Sequence, residues 1–415
     1  MPISDKIRPA VTEIIRALVS NGFEAYVVGG AVRDLLLDIE PKDYDLATSA
    51  SPEEVRGVFG RRKARIIGRR FRLVHVHTSH DIYEISTFRR EPTQEERSER
   101  IDDDGVMLWR DNQYGTLEQD AFRRDFTVNS LFFDPVGERS IIDLVGGMED
   151  LKHKIVRSVG PPDTRIEEDP VRMLRALKLV AKYGFSLESD LEAVIRARAS
   201  QISMAAAGRL LEELMKIVAS PHAHATFEAC HDYGLLEHFW PALGEEWTNG
   251  ETGGLVRKLL TERDRRVAGG DYSTSKALAL ATIALPAIAR GRGCADLEPL
   301  WEHEPGLERD MRGQVRSFFE PFPVSRYLTA RMRDIMLMLP RFVAGKRKSK
   351  LVGHPEYKYG RELFSLVALA REWPDDMVAA WPEPPKRQPR GSERGGRRRP
   401  NRNRRRNRGK PPRKA

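Results

Sequence analysis

Two cysteines in 415 residues, Cys230 and Cys294, are too few for a thiolate zinc site and lie far apart in sequence, so a disulfide-stapled secreted fold is excluded. They fit reduced thiols buried as small apolar residues. Long apolar runs are missing too: the longest, Ala277 to Ala289, is broken by Pro286 and falls short of the ~20 residues that a membrane-spanning helix needs. No membrane association is expected. The opening residues, Met1-Pro2-Ile3-Ser4-Asp5-Lys6, lack the apolar core of a secretory signal, which predicts a cytoplasmic chain. Nor is there a Gly-Lys-Ser or Gly-Lys-Thr of a Walker loop, and the third glycine of a Rossmann fingerprint is absent. No repeat of fixed period stands out.

Enough remains for a folded body: 40% of residues are hydrophobic, and the length suits two or three domains. The net charge of +9 is concentrated at one end. Residues 386–415 hold fifteen Lys or Arg and one Glu, a charge of +14, so the residues before them sum to about −5. This end is built of Arg, Asn, Gly and Pro, cannot bury a core, and is expected to be a disordered basic tail. Arg397-Arg398-Arg399 and Arg404-Arg405-Arg406 suit phosphate backbones, whose counterions are released on binding. The simpler alternative is a solvated solubility tail. Without aromatic residues to stack on bases, any RNA binding here is electrostatic and of low sequence specificity.

Up to about Gly160 the pattern mixes strands and helices, an α+β arrangement. Ala25 to Val28 reads as a buried strand, Arg72 to Thr78 and Ile82 to Phe88 as a pair joined by a polar turn, and Ser140 to Leu144 as another strand. After Asp169 the chain turns helical, with Leu174, Leu177, Val180 and Ala181 on one stripe and a further helix at Leu210 to Val218. A proline-rich break near Trp381 to Pro389 precedes the tail.

The segment from Tyr26 to Leu46 concentrates the chemistry. Gly29-Gly30 lets the backbone approach a bulky anion, the helix that follows offers unpaired N–H groups, and Arg33 adds a fork of donors. Asp43 and Asp45, two apart on an extended segment, point to one face, where their like charges call for a cation. Mg²⁺ is the natural occupant, and two such ions roughly 3.5–4 Å apart would clamp a phosphoryl or nucleotidyl transfer. Taken singly, each feature also has an ordinary reading, a tight turn and a polar loop.

Further candidates lie downstream. Glu84 sits among Ile82, Tyr83 and Ile85 on a strand, where an acid faces either a cation or solvent. In Arg123-Arg124-Asp125-Phe126-Thr127 the residues read equally as a triphosphate clamp with a carboxylate or as an internal salt bridge. Asp169 before Pro170 is a helix cap with a first-turn proline. Arg172 and Arg175 follow on adjacent positions of one helix face, a row of donors suited to a ligand. Ile66 to Val76, with Arg69, Arg70 and Arg72, reads as a basic turn entering a half-buried strand.

Four motifs in one order, Val28-Gly29-Gly30-Ala31-Val32-Arg33-Asp34, Asp43-Tyr44-Asp45, Arg123-Arg124-Asp125-Phe126-Thr127 and Glu168-Asp169-Pro170-Val171-Arg172-Met173-Leu174-Arg175, resemble the class II branch of the nucleotidyltransferase superfamily. Bacterial poly(A) polymerases and CCA-adding tRNA nucleotidyltransferases share that branch, and the likeness covers roughly residues 23–240. It implies a head with a mixed, roughly five-stranded sheet (1–160), a helical neck that reads the base (161–220), a helical RNA-binding body (221–380) and the tail (381–415). By the same resemblance Gly29, Gly30 and Arg33 would contact the nucleotide, Asp43 and Asp45 would bind Mg²⁺, and Arg124 would contact the triphosphate. Asp125 or Glu84 would complete the acidic set, and Asp169, Arg172 and Arg175 would read the base. Lys178 stands where relatives often carry Arg, and it lacks the planar fork.

The implied reaction is attack of an RNA 3′-hydroxyl on the α-phosphate of a nucleoside triphosphate, helped by two Mg²⁺ ions. The Ile66 to Val76 block and the arginine-rich end resemble bacterial poly(A) polymerases, so ATP as substrate and AMP addition to RNA 3′ ends are expected, by a monomer that could serve RNA decay machinery. CCA addition is the alternative, and an inactive RNA-binding protein is a third reading that the intact Asp43 and Asp45 oppose. Deleting residues 386–415 should weaken RNA binding and flatten its log–log salt dependence, by up to ~0.7 for each single-strand phosphate that the tail neutralises. A salt titration giving an unchanged slope would make the tail a bystander.

Overall fold

In the computed structural model the described residues are 3–68, 72–79, 81–91, 113–273, 275–298, 300–302, 304–345 and 348–384. Arg69 and Arg70 of the basic block and the tail arginines at 397–399 and 404–406 lie outside them.

The N-terminal part is built on a seven-stranded mixed sheet. Its strands are β1 (Ala25–Val28), β2 (Asp45–Thr48), β3 (Ala64–Ile67), β4 (Leu73–His77), β5 (Ile82–Thr87), β6 (Phe132–Phe133) and β7 (Ile141–Ile142), in the order β3-β4-β5-β2-β1-β6-β7. The pairing of β2 with β5 is parallel and the others are antiparallel. The β4–β5 hairpin falls where the alternating pattern predicts it, one residue shorter at its outer ends, and closes through the Thr78 N–H to Asp81 carbonyl bond. The sheet exceeds the expected five strands at its margins. β6 and β7 have two residues each: β6, too short to show a period of two, is held by pairing with β1, and β7, inside the strand expected at Ser140 to Leu144, pairs with β6.

Both faces are covered, as alternation along the strands requires. Val27, Leu46, Val74, Val76, Ile85 and Phe133 face the main core with Ile14, Ile15 and Leu18 of the helix Pro9–Ser20. On the opposite face Val28, Ala47, Phe88, Ala121 and Phe132 form a small second core.

The chain then becomes helical. The helix Val171–Tyr183 buries Met173, Leu174 and Leu177, packs on the helices Ala207–Ala219 and Ala223–Asp232, and ends at Gly184, whose φ of 66° makes the left-handed cap. A parallel two-stranded ribbon, Ile155–Val156 with Ser186–Leu187, stitches the exit from the sheet to this helix. The apolar run at Ala277–Ala289 is the central helix Lys276–Arg290, buried over most of its length with Pro286 inside it. No helix among the described residues is long and apolar enough to cross a membrane. Cys230 is buried as expected and Cys294 is half-buried, both as free thiols.

One close backbone approach holds the loop that carries Asp125. Asp143 accepts N–H bonds from Val145, Gly146, Gly147 and Met148, folding the turn so that Gly147 lies against the Thr127 carbonyl. A Cβ on Gly147 would come within 2.3 Å of that oxygen. Gly147→Ala should therefore lower stability by about 2–3 kcal/mol, read as a lower urea midpoint at constant m; an unshifted midpoint would show that the turn has slack.

Candidate active site

Strand β1 ends in a turn that only glycine makes without strain. Gly29 has φ 73° and ψ −132°, and its N–H donates to the Leu131 carbonyl at 3.1 Å. A Cβ here would lie 3.5 Å from Arg124 Nη1, and one on Gly30 would lie 3.3 Å from Arg33 Nη2, so two guanidinium groups rest on the glycine backbone. The helix Gly30–Leu36 has only seven residues and contributes a small dipole; the arginines dominate the positive field.

The two arginines are held differently. Arg124 reaches Asp120 Oδ2 with Nε at 3.1 Å and Nη2 at 2.7 Å, and its guanidinium lies over the Phe132 ring at 5.1 Å. Arg33 is 7% exposed and donates to Asp34 Oδ1, to the Asn129 side chain and to the Tyr183 hydroxyl. Tyr183 also donates to Asp34 Oδ1 at 2.6 Å, and Lys182 Nζ approaches Asp34 Oδ2 at 3.4 Å. Arg33, expected as a direct nucleotide contact, thus also joins the glycine turn to the last turn of the helix Val171–Tyr183.

On the acidic side only Asp45 lies on strand β2; Asp43 sits in the bend just before it. Tyr44 points inward and is 3% exposed, while its neighbours Asp43 and Asp45 are exposed. Across the parallel pair Asp45 stands in register with Glu84, which lies 3.5 Å from His75 Nε2. The Asp45 carboxyl is pushed above its ordinary range, first by desolvation low in the cleft, despite its open outer side, and then by the neighbouring Glu84 charge. Asp43 adds to the rise; Arg124 and Lys216 oppose it. Acids crowded so that one resists ionisation fit a divalent cation, which relieves the repulsion. Among the described residues no group of three or more His, Cys, Asp or Glu stands ready as a complete ligand set. Mg²⁺ held by one or two carboxylates takes its other oxygens from phosphate and water.

Asp125 sits elsewhere. Its Oδ1 accepts from Phe126 N and Asn129 Nδ2, and its Oδ2 lies 2.8 Å from Arg175 Nη2 without a well-directed hydrogen bond. Burial opposes its ionisation, but Arg175 and the donated bonds outweigh that and hold the carboxyl below the usual range. Of the two readings of the 123–127 motif, Arg124 and Asp125 therefore both take part in internal ion pairs.

Between the sheet and the helices lies a cavity of about 270 Å³. Arg33 and Asn129 line one side; Arg175, Lys178 and Lys182 line the second from one face of the helix Val171–Tyr183; Glu213 and Lys216 line the third. Lys178 Nζ sits 2.6 Å from Glu213 Oε2. Arg172 and Asp169 are outside this lining. Arg172 donates to the Arg165 carbonyl and to Glu168, and Asp169 is gripped by both Nη atoms of Arg209 while its Oδ1 also accepts the Val171 N–H; the helix begins at Val171, with Pro170 at the cap position one residue after the expected Asp169. Arg165, Tyr183, Asn129, Glu213 and Lys216 do not stand out in the sequence. Lys178 and Lys182 carry a signal, because they continue the Arg175 face at helical spacing; the others meet their partners only through the fold.

A glycine turn carrying arginines, a pair of aspartates at the start of β2 and a cationic cavity closed by a following helix define a nucleotidyltransferase head set on a helical support. Residues 25–157 match the family model described as the poly A polymerase head domain, and residues 184–246 match a probable RNA and SrmB-binding site of polymerase A. Poly(A) polymerase I of Haemophilus influenzae is 35% identical over 381 residues, 89% of this chain and 82% of the relative. A CCA-adding enzyme of Lactobacillus helveticus is 38% identical over 228 residues, 54% of this chain and 53% of that enzyme. In structure the Bacillus stearothermophilus CCA-adding enzyme in complex with CTP aligns with a TM-score of 0.60 at 24% identity, over 90% of this chain and 82% of that one, a likeness of fold. The chain belongs to the bacterial poly(A) polymerase family of the class II nucleotidyltransferases.

The raised Asp45 carboxyl sets a pH dependence. Ionising it above its raised pKa costs the folded, metal-free protein stability, and below the unfolded value of ~3.9 that cost is absent. A cation competes with the same proton. Affinity for Mn²⁺, followed by paramagnetic relaxation without nucleotide, should fall as pH drops through a value above the ordinary carboxylate range. Asp45→Asn should abolish that drop, and a pH-independent affinity would place the ion elsewhere.

Proposed function

We propose that this chain is a template-independent polynucleotide adenylyltransferase that adds AMP from ATP to RNA 3′ ends. The observation that carries the choice is coverage: the poly(A) polymerase I likeness runs through 89% of the chain, helical body included, whereas the CCA-adding likeness in sequence stops at 54%. The common fold leaves CCA addition as the competing reading.

In this reading Gly29 and Gly30 admit the triphosphate to the backbone, Arg124 balances its charge, and Arg33 fixes the turn. Asp43 and Asp45 hold the divalent ions, with Glu84 the better third acid because it faces Asp45 in register, whereas Asp125 is engaged by Arg175. Bound there, two Mg²⁺ ions would supply Lewis-acid stabilisation of the attacking and leaving oxygens. The RNA 3′-hydroxyl gives up its proton to water as its oxygen forms a bond to the α-phosphorus, the bond from that phosphorus to the α,β-bridging oxygen breaks in line, and pyrophosphate leaves. Arg175 and the cavity-facing residues beyond it hold the nucleotide, and Asp169 and Arg172 read the base once their contacts with Arg209 and Glu168 yield. The basic tail holds RNA of many sequences. The reaction is read as cytoplasmic, and among the described residues no helix is long and apolar enough to cross a membrane.

Each of the four triphosphates, offered singly with an unstructured RNA and with tRNA lacking its 3′ end, separates the readings. ATP alone should extend plain RNA into long products, and incorporation of C, C and A into the tRNA would overturn the assignment. Asp43→Asn and Asp45→Asn should abolish incorporation and leave RNA binding intact.

A further inference from the structure

The helix Ala207–Ala219 carries a cation that the motifs do not account for. Glu213, with its side chain 8% exposed, is approached from both sides, by Lys178 Nζ at 2.6 Å on Oε2 and by Lys216 Nζ at 2.8 Å on Oε1. Two ammonium groups thus share one carboxylate, and one positive charge is left over. Burial opposes ionisation of Glu213, but the two lysines draw its carboxyl down to about 2, so it stays a carboxylate, while burial pulls the Lys178 ammonium below the ordinary lysine range. The inner partner is Lys178, 25% exposed; Lys216 is 63% exposed, and the surplus resides on its side.

The position of that surplus gives it a use. Lys216 lines the cavity with Arg33, Arg175 and Lys178, and its charge also acts on Asp45. It therefore borders the cavity and lies within electrostatic reach of Asp45. Lys216 is the most exposed of the cavity's cations, 63% against 44% for Arg175, 41% for Lys182 and 25% for Lys178, while Arg33 is buried against Asp34. A lysine with a half-shared partner and a flexible stem swings to a polyanion at little cost, because Glu213 keeps Lys178 when Lys216 leaves.

We propose that Lys216 is a triphosphate-binding residue, supplied by the helical part to the β- and γ-phosphates of the nucleotide bound between it and the head. This rests on the nucleotidyltransferase reading of the cleft. The competing role is contact with the RNA backbone, since Lys216 falls within the matched RNA-binding region.

Binding of inorganic tripolyphosphate to the full-length protein, by calorimetry with Mg²⁺ and no RNA, tests the assignment without any turnover. Lys216→Gln should weaken tripolyphosphate roughly tenfold or more, raise the KM for ATP, and leave the KM for RNA and the melting temperature unchanged. Lys216→Arg should restore most of the affinity. Unchanged tripolyphosphate affinity in Lys216→Gln, or an effect that falls on the RNA KM instead, overturns the proposal. Wild-type protein that binds tripolyphosphate through Lys216 yet incorporates no nucleotide would instead refute the polymerase reading and leave this one standing.

Discussion

The buried carboxylate of Asp34 is the contact on which the site's geometry depends. It accepts from Arg33 through Nε at 3.0 Å and Nη2 at 2.7 Å, from the Tyr183 hydroxyl at 2.6 Å, and faces Lys182 at 3.4 Å. One end of this cluster follows the Gly29-Gly30 turn and the other closes the helix Val171–Tyr183, so the mutual placement of sheet and helices is set by a charge removed from water. Such a carboxylate is costly to strip of a partner, by roughly 3–5 kcal/mol, which keeps the cavity between the two parts at a fixed width. Desolvation, then the contact with Asp34, raises the Tyr183 hydroxyl far above its ordinary value although Arg33 opposes it, so it stays a protonated donor.

Around this hinge the charges separate by sign. Asp43, Asp45 and Glu84 gather at the central β2–β5 pair, where parallel register brings Asp45 and Glu84 side by side. Arg33, Arg175, Lys178, Lys182 and Lys216 gather on the cavity walls. A metal-bound triphosphate is the ligand that satisfies both halves together, its phosphates taking the cations and its metals the carboxylates. Either half alone would serve many anions or many cations; the pairing narrows the chemistry to nucleotidyl transfer.

Much of this was legible from local spacing. Asp43 and Asp45 are exposed on either side of the buried Tyr44 as their spacing suggests, although only Asp45 lies on the strand; the left-handed Gly29 is the one residue type its φ admits, and the stripe through Leu174 and Leu177 predicts the buried face of its helix. What spacing conceals is pairing across the fold. Asp125 and Arg175, Lys178 and Glu213, and Asp34 and Tyr183 are each separated by tens of residues or more, and nothing in their surroundings announces the partner. For the same reason Arg33 and Arg172 read as free donors, whereas the fold gives each internal acceptors. The two-residue strand Phe132–Phe133 escapes a period-two reading and is defined by its pairing with β1, whereas Ile141–Ile142 falls inside the strand read at Ser140 to Leu144 and pairs with Phe132–Phe133.

The most direct test of a single metal-triphosphate ligand bridging the two halves is a crystal structure with Mn²⁺ and a non-reacting ATP analogue, read in anomalous difference maps. The geometry predicts manganese peaks on Asp43 and Asp45, with the phosphates reaching from the Gly29-Gly30 turn toward Arg124 and Lys216 and the nucleoside in the cavity beside Arg175. Manganese away from the two aspartates, or a nucleotide bound outside the cavity between sheet and helices, would contradict it.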